Sequence, residues 1–260
     1  MKKYCNLNCT FRYTIYSHTN KIPMKTIFHK SDTRGFADHG WLLAKHSFSF
    51  AGYHNRNRMH FGALRVLNDD EVSEGIGFPE HPHDNMEIIT IPLEGEVAHK
   101  DSMGNSATIS AGQIQIMSAG TGIYHSEYNP SSINKTKLLQ IWVFPNKQNV
   151  TPRYQEIDVK ATQIPNEWNQ IVSPNADDAG GWIHQDAWFS LGEMEANSSK
   201  KYVLQGENTG IYIFVIEGKL IVDGQTLSSR DGMGVLETKE VPISFVEHSK
   251  VLIMEVPLEF

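Results

Sequence analysis

The apolar residues of this chain fall in runs of strand length, and this pattern constrains the fold most. Residues 86–93 (MEIITIPL) form a β-branched run that Gly95 closes, and residues 138–144 (LLQIWVF) form a buried-type run that stops at Pro145. Residues 113–116 (QIQI) alternate strictly between polar and apolar side chains. Such runs, separated by turn-forming segments, are typical of β-strands, and long helical periodicity is missing. The sequence therefore predicts an all-β protein of the sandwich or barrel type.

The second half of the chain repeats the first. Residues 211–222 (IYIFVIEGKLIV) match residues 87–98 (EIITIPLEGEVA), with Gly218 in the place of Gly95. Self-similarity of this kind indicates a duplicated domain. We expect two tandem barrels of the double-stranded β-helix (jelly-roll) type that pack together.

The polar composition around the repeat suggests where the domains divide. We place the first barrel at residues 24–155 and the second at residues 156–260, because the Pro- and Asn-rich stretch 148–174 separates the two copies. Residues 1–23 are interpreted as a loose extension or a mis-assigned start, since Met24 opens a second plausible beginning.

Composition narrows the classes of partner. The chain has a formal net charge of −7 and no Lys/Arg run, so we expect no direct nucleic-acid partner. No stretch approaches the about 20 apolar residues of a membrane span, and the N-terminal residues lack the apolar core of a signal peptide. Cys5 and Cys9 are the only cysteines, which excludes a disulfide framework. We expect a monomeric, cytoplasmic protein.

Two short motifs place polar side chains two residues apart. They are His81-Pro82-His83 and His125-Ser126-Glu127. On a β-strand this spacing sends both side chains to the same face. Three imidazoles and one carboxylate that converge inside a barrel would form a mononuclear transition-metal site. Histidines buried there without a shared cation would be costly in free energy.

Spacing alone does not decide which carboxylate joins the histidines. Glu87 follows His83 by four residues and Glu127 follows His125 by two, so both can face the barrel interior.

The second copy of the repeat lacks the corresponding histidines. Counted from Gly218 and Gly232, the positions equivalent to the four candidate ligands hold no histidine and one carboxylate: Leu204, Gly206, Phe245 and Glu247. The sequence therefore predicts one metal-binding barrel and one barrel without metal ligands.

These motifs carry a family resemblance. A first cupin motif consists of Gly75, the His81-Pro82-His83 run, Glu87 and Gly95. A second follows in Gly112, Gly122, His125 and Asn129, with Ser118 where proline is usual. With these motifs and residues 39–41, 46–50, 64–70, 101–105 and 118–129, the chain resembles the pirin family of bicupins, especially bacterial pirin-like proteins with quercetin 2,3-dioxygenase activity. The resemblance is dense over residues 24–154 and looser to residue 260, and residues 1–23 lie outside it.

The resemblance implies a ligand set and an activity. His81, His83, His125 and Glu127 would hold one divalent metal, with iron expected first and nickel, copper, manganese, cobalt or zinc as alternatives. Glu87 would then orient a ligand imidazole. The implied reaction is the ring-opening oxygenation of a flavonol-like aromatic substrate by dioxygen, with Glu127 as catalytic proton acceptor. The alternative that the resemblance leaves open is a metal-dependent regulatory protein that binds other proteins and has no dedicated small-molecule turnover.

The other notable side chains are interpreted as structural or solvated. His54, Arg56 and His60 would lie in a solvated loop, and Arg65 with Asp69 and Asp70 would form an ion pair and turn at the barrel edge. Core or structural roles are expected for the aromatic residues that precede them: His39, His46, Phe48 and Phe50. The sequence assigns no role to the remaining histidines with no partner pattern: His99, His184 and His248.

Overall fold

The computed structural model describes residues 24–260. The predictions for residues 1–23, Cys5 and Cys9 lie outside these residues. Between residues 24 and 260 the regular structure consists of β-strands and two single-turn 3-10 helices, Ser31–Thr33 and Lys160–Thr162. None of the helices described is long and apolar enough to cross a membrane. The all-β prediction is confirmed.

Twelve strands lie in the first part of the described chain. They are β1 (Lys25–His29), β2 (Gly35–Asp38), β3 (Leu42–His46), β4 (Leu64–Val72), β5 (Gly77–His83), β6 (Glu87–Glu94), β7 (Glu96–Asp101), β8 (Ser106–Ser110), β9 (Gln113–Ser118), β10 (Ile123–Tyr128), β11 (Thr136–Val143) and β12 (Arg153–Asp158).

Ten further strands complete the described chain. They are β13 (Asn169–Ser173), β14 (Gly181–Trp182), β15 (Trp188–Met194), β16 (Ser198–Val203), β17 (Thr209–Glu217), β18 (Lys219–Val222), β19 (Gln225–Ser228), β20 (Gly232–Leu236), β21 (Glu240–Phe245) and β22 (Ser249–Pro257).

The strands form two barrels, each with a seven-stranded and a four-stranded sheet. The first barrel has the orders β12-β9-β6-β11-β4-β3-β2 and β5-β10-β7-β8, and the second has β1-β20-β17-β22-β15-β13-β14 and β16-β21-β18-β19. Gly95 links β6 to β7 and Gly218 links β17 to β18, with φ of 74° and 95°. A Cβ on Gly218 would lie 2.3 Å from the His248 carbonyl oxygen. The repeated glycine therefore reflects a repeated tight turn, and the prediction of two packed barrels is confirmed.

The chain crosses between the barrels after the first strand of the described residues. Strand β1 pairs with β20 and so completes a sheet of the second barrel, although it precedes every strand of the first. Strand β12 remains in the first barrel, antiparallel to β9, through Asp158. The division between residues 155 and 156 stays a prediction. Strand β12 of the first barrel extends past this boundary, and β1, which lies far before it, belongs to the second barrel.

The largest apolar core lies between the barrels. It joins Phe48, Ile89 and Ile141 of the first barrel to Tyr212 and Phe214 of the second. A separate core fills the interior of the second barrel, whereas the first barrel has only two small clusters. Burial of this apolar surface supplies most of the free energy that holds the barrels together.

An ion cluster bridges the same interface. Asp69 accepts hydrogen bonds from Arg34 at 3.2 Å and from Arg230 at 3.1 Å. The predicted ion pair with Arg65 is wrong, since Arg65 donates to backbone carbonyl groups instead. The predicted turn is also wrong, because β4 continues through both acidic residues. The strand period then sends Asp69 toward the interface and Asp70 into the first barrel.

Candidate metal centre

Two neighbouring strands of the small sheet in the first barrel carry the histidines. Strands β5 and β10 are antiparallel, with His81 opposite His125 and His83 opposite Ile123. The two-residue spacing places His81 and His83 on one face of β5, and the cross-strand register brings His125 beside them.

The three imidazoles converge. Their ring centroids lie 4.4 Å apart for His81 and His125, and 4.9 Å apart for each pair with His83. One ligand nitrogen from each ring lies within 4.8 Å of the others. The Nδ1 of His81 lies 2.7 Å from the Pro79 carbonyl oxygen. As a carbonyl can only accept, this nitrogen donates, and Nε2 keeps its lone pair for a ligand.

His125 provides the test of whether a cation fits. The side chain is 1% exposed, and neither ring nitrogen has a hydrogen-bond partner among the described residues. Burial, and secondarily the proximity of His81 and His83, lowers the pKa of His125 to about 2. Burial likewise lowers the pKa of His83 to about 4. These imidazoles are neutral near pH 7, and an unpaired buried nitrogen is satisfied by a metal ion.

Glu127 is held by hydrogen bonds from polar side chains of the large sheet. It accepts hydrogen bonds from Thr90 Oγ1 at 3.0 Å, from Gln115 Nε2 at 2.6 Å, and from Gln140 Nε2. Burial outweighs these donors and raises the pKa of Glu127 to about 7. Its carboxylate oxygen lies within 4.8 Å of ligand nitrogens of His125 and His99. The predicted set therefore forms two overlapping clusters that share His125, with the three imidazoles in one and Glu127 in the other.

His99 belongs to this centre, and the sequence reasoning missed it. It lies on β7, pairs with Asp101 at 3.2 Å, and stacks on Tyr154 with 4.4 Å between ring centroids. Its ring centroid lies 5.3 Å from that of His125. The signal was present in the sequence, because His99 and Asp101 have the same two-residue spacing as His81 and His83.

A polar rung across the large sheet supports Glu127. Cross-strand neighbours from β3, β4, β11, β6 and β9 form this rung in order: His46, Asn68, Gln140, Thr90 and Gln115. His46 Nδ1 lies 2.9 Å from Asn68 Oδ1, and Gln115 Nε2 lies 3.2 Å from Thr90 Oγ1. Pattern reasoning missed this rung because it depends on strand register rather than on one local motif.

Glu87 faces away from the centre. Ser118 Oγ donates to it at 2.7 Å, and the backbone N–H of His184 also points to it. Ile88 and Thr90, its neighbours along β6, face the barrel interior, so the strand period turns Glu87 outward. Counting from His83 to Glu87 assumes that one strand runs through both residues. A turn separates β5 from β6, so the alternation of side chains does not continue from one to the other. The expectation that Glu87 orients a ligand imidazole is therefore wrong.

A cavity of about 350 Å³ opens beside the imidazoles. Its walls are mainly apolar side chains from both sheets: Leu42, Ala44, Phe50, Phe78, Ile88 and Trp142. Polar groups on its walls include His46, Asn68 and Asp70. His46 thus has a structural hydrogen bond, as predicted, and also lines the cavity. Phe50 lines the cavity too, whereas Phe48 lies in the core between the barrels. The exposed side chains of His54, Arg56 and His60 agree with a solvated loop.

The second barrel offers no comparable centre in the part of the chain that the structure describes. Both clusters of ligand-type side chains found in residues 24–260 lie in the first barrel. Phe245, which the count from Gly232 aligns with His125, is 1% exposed and packs in the core with Val241 and Ile243. Glu247 lies at the surface and pairs with Lys219.

Comparison with known proteins finds a separate family model for each half of the chain. The family model described as Pirin matches residues 28–143, and the model described as Quercetinase C-terminal cupin domain matches residues 170–256. A quercetin 2,3-dioxygenase of Escherichia coli (strain K12) is 41% identical over 228 residues, covering 88% of this chain and 97% of that protein. A pirin-like protein of Caulobacter vibrioides is 37% identical over 225 residues, covering 86% and 96%.

A solved structure is similar over nearly the whole chain. The bacterial pirin YhhW from Escherichia coli, in complex with nickel(II), has a TM-score of 0.85 and 39% sequence identity. The similarity covers 90% of this chain and 99% of that protein.

Proposed function

Because this chain belongs to the pirin family of two-barrel cupins, we propose that it is a metal-dependent dioxygenase that opens the ring of quercetin-like flavonols. The observation that carries the proposal is His125, a buried imidazole with two unpartnered nitrogens beside His81 and His83. A further support is the name of the Escherichia coli relative, quercetin 2,3-dioxygenase.

The cavity suits a flat aromatic substrate. Its volume of about 350 Å³ lies in the usual range for small-molecule sites. Trp142 meets His83 edge to face at 4.9 Å, and Phe50 meets Trp142 edge to face at 5.2 Å. These aromatic walls would position a planar ring next to the imidazoles and exclude water from it.

The protein residues have distinct roles in this proposal. His81, His83, His125 and Glu127 would hold the metal. When bound, a divalent cation supplies Lewis acidity that favours a deprotonated substrate hydroxyl, together with its redox chemistry toward dioxygen. Glu127 has a carboxylate oxygen within 4.8 Å of a ring nitrogen of His125 and is assigned as the proton acceptor. The amide donors of Gln115 and Gln140 fix its orientation, and the remaining lone pair on Oε2 leaves room for a cation.

The donor set does not select one metal. Imidazole-rich sites bind iron, nickel, copper and zinc alike, and the relative YhhW was solved with nickel(II). Iron stays the first expectation, with nickel, copper, manganese, cobalt and zinc as alternatives. Elemental analysis of protein purified without added metal identifies the native ion. The cytoplasmic location and the monomeric state likewise stay predictions.

Turnover of quercetin tests the activity. Protein loaded separately with each of these metals is mixed with quercetin under air, and flavonol absorbance and oxygen uptake are followed together. We expect one dioxygen consumed per flavonol and no turnover by His125→Ala, while the second-barrel control His248→Ala keeps the wild-type rate. Retained metal without turnover for every ion would reject the dioxygenase. Metal-dependent capture of a stoichiometric protein partner would then support the regulatory alternative.

A further inference from the structure

Asp70 is a buried carboxyl in the cavity wall that has no part in the centre described above. Its side chain lies on β4, and the residue is 4% exposed. Its Oδ1 has no hydrogen-bond partner among the described residues. Asp70 is nevertheless one of the polar groups that line the cavity.

The surroundings of Asp70 give no structural reason for a carboxyl. Its cross-strand neighbours are Ala44 on β3 and Leu138 on β11, neither of which has a side-chain donor. Burial of a polar group without a partner destabilises a fold, and native proteins keep few such groups. Asp69, the preceding residue, has two arginine partners by contrast. A carboxyl in a cavity wall that forms no side-chain hydrogen bond with the described residues indicates that a ligand in the cavity supplies one.

The chemistry of the cavity defines the ligand group. No lysine or arginine among residues 24–260 lines it, and Glu127 is close enough to repel negative charge at Asp70. Burial, helped by Asp69 and Glu127, raises the pKa of Asp70 well above its usual value. A neutral carboxyl both donates and accepts one hydrogen bond, which suits an uncharged hydroxyl.

The topology separates this carboxyl from the histidines. Asp70 belongs to the large sheet, and His81, His83 and His125 belong to the small sheet. Packed sheets lie about 10 Å apart, so one planar molecule with polar groups at both ends can reach both.

We propose that Asp70 is a specificity-determining residue that binds a hydroxyl group of the substrate remote from the oxygen held at the histidines. The cavity would then select polyhydroxylated aromatic molecules over those with a single metal-binding group. This inference rests on the proposed function, since it assumes a flavonol-like occupant.

Binding without oxygen tests the inference separately from turnover. Metal-loaded protein is titrated anaerobically with quercetin and with 3-hydroxyflavone, which has no hydroxyl beyond the metal-binding one, and affinity is read from flavonol absorbance. We expect wild type to bind quercetin at least about tenfold more tightly. Asp70→Val should abolish most of this preference. Glu71→Gln, the next residue of β4 on its opposite face, should keep it.

A stability measurement accompanies the titration. Asp70→Val is expected to melt at or above the wild-type temperature, since it removes an unsatisfied buried group, whereas a structural carboxyl would lower it. Asp70→Ala repeats the titration with a smaller side chain if the valine variant does not fold.

The possible outcomes separate the two proposals. Loss of the preference in the Asp70 variants supports the inference even if no flavonol is turned over under air. An unchanged preference, a wild type without one, or no flavonol binding at all overturns it, and flavonol turnover would leave the dioxygenase proposal standing.

Discussion

The two barrels share one architecture and differ in what fills them. Each has a seven-stranded and a four-stranded sheet, yet the second is packed with apolar side chains and the first encloses a polar centre and a cavity. The contrast is clear on the matching strands β21 and β10, where Phe245 packs in an apolar core and His125 contacts two other imidazoles. The second barrel shows that a jelly-roll barrel can fold without a binding site. The first shows that its interior need not be filled with apolar side chains when the core between the barrels supplies apolar burial.

The difference indicates that one barrel contributes mainly to the stability of the fold and the other holds the polar centre. The second barrel and the core between the barrels bury most of the apolar surface. The first barrel can then accommodate unsatisfied groups such as His125 and Asp70. Functional sites commonly carry such destabilising features, which the rest of the fold offsets.

The largest expected effect is on metal binding. His125→Ala should reduce metal content from one ion per chain to none after dialysis, because it removes the imidazole shared by both clusters. Without metal, the variant should be no less stable than wild type, since two unsatisfied nitrogens disappear. Elemental analysis and thermal melting measure the two effects. Full metal retention would show that the centre lies elsewhere.

A core substitution on the matching strand of the second barrel should lower stability and leave metal binding unchanged. Phe245→Ala should lower the free energy of unfolding by about 3 to 5 kcal/mol, the usual cost of deleting a buried aromatic ring. Metal content of the folded protein should not change. Urea denaturation and elemental analysis on the same preparation measure both quantities. A variant that folds normally but loses its metal would break the comparison between the barrels.

Acid should weaken the contact between the barrels through His29. This residue lies at the interface, with Nδ1 2.9 Å from Tyr212 Oη, and burial lowers its pKa from 6.5 to about 4. Between pH 6.5 and 4, His29 is therefore protonated in the unfolded chain and neutral in the folded protein. The stabilisation is present above pH 6.5 and is lost as the pH falls through 4, by about 3 kcal/mol.

A variant isolates this contribution. His29→Gln should unfold with a weaker pH dependence than wild type between pH 6.5 and 4, measured by urea denaturation at matched metal content. Identical pH profiles for the two proteins would assign the acid sensitivity to other groups.

The smallest of these effects concerns the rung that holds Glu127. Gln140→Leu removes one of its amide donors and should weaken metal affinity about 10- to 100-fold without abolishing it. Competition with a chelator of known affinity measures the change. Gln170→Leu in the second barrel is the matched control and should bind metal as wild type does. Equal affinities in all three proteins would mean that Glu127 needs no such support.

Local pattern accounts for much of the fold and for part of the site. The two-residue spacing in His81-Pro82-His83 was enough to place both imidazoles on one face, and the repeated Gly95 and Gly218 marked the duplicated hairpin. The same rule applied to His99 and Asp101 was available and overlooked. Counting from His83 to Glu87 failed because a turn between the strands interrupts the alternation.

The sequence by itself determined the all-β class, the duplication and the shared face of His81 and His83, because each is visible in a local pattern or in its repetition, whereas the pairing of β5 with β10 brings His125 beside them. Only the tertiary structure decided that β1 joins the second barrel, that Gln115 and Gln140 fix Glu127, and that Asp70 faces a cavity without a partner. These features depend on which strands become neighbours and in which register. That choice minimises the free energy of the whole chain, so no single segment encodes it.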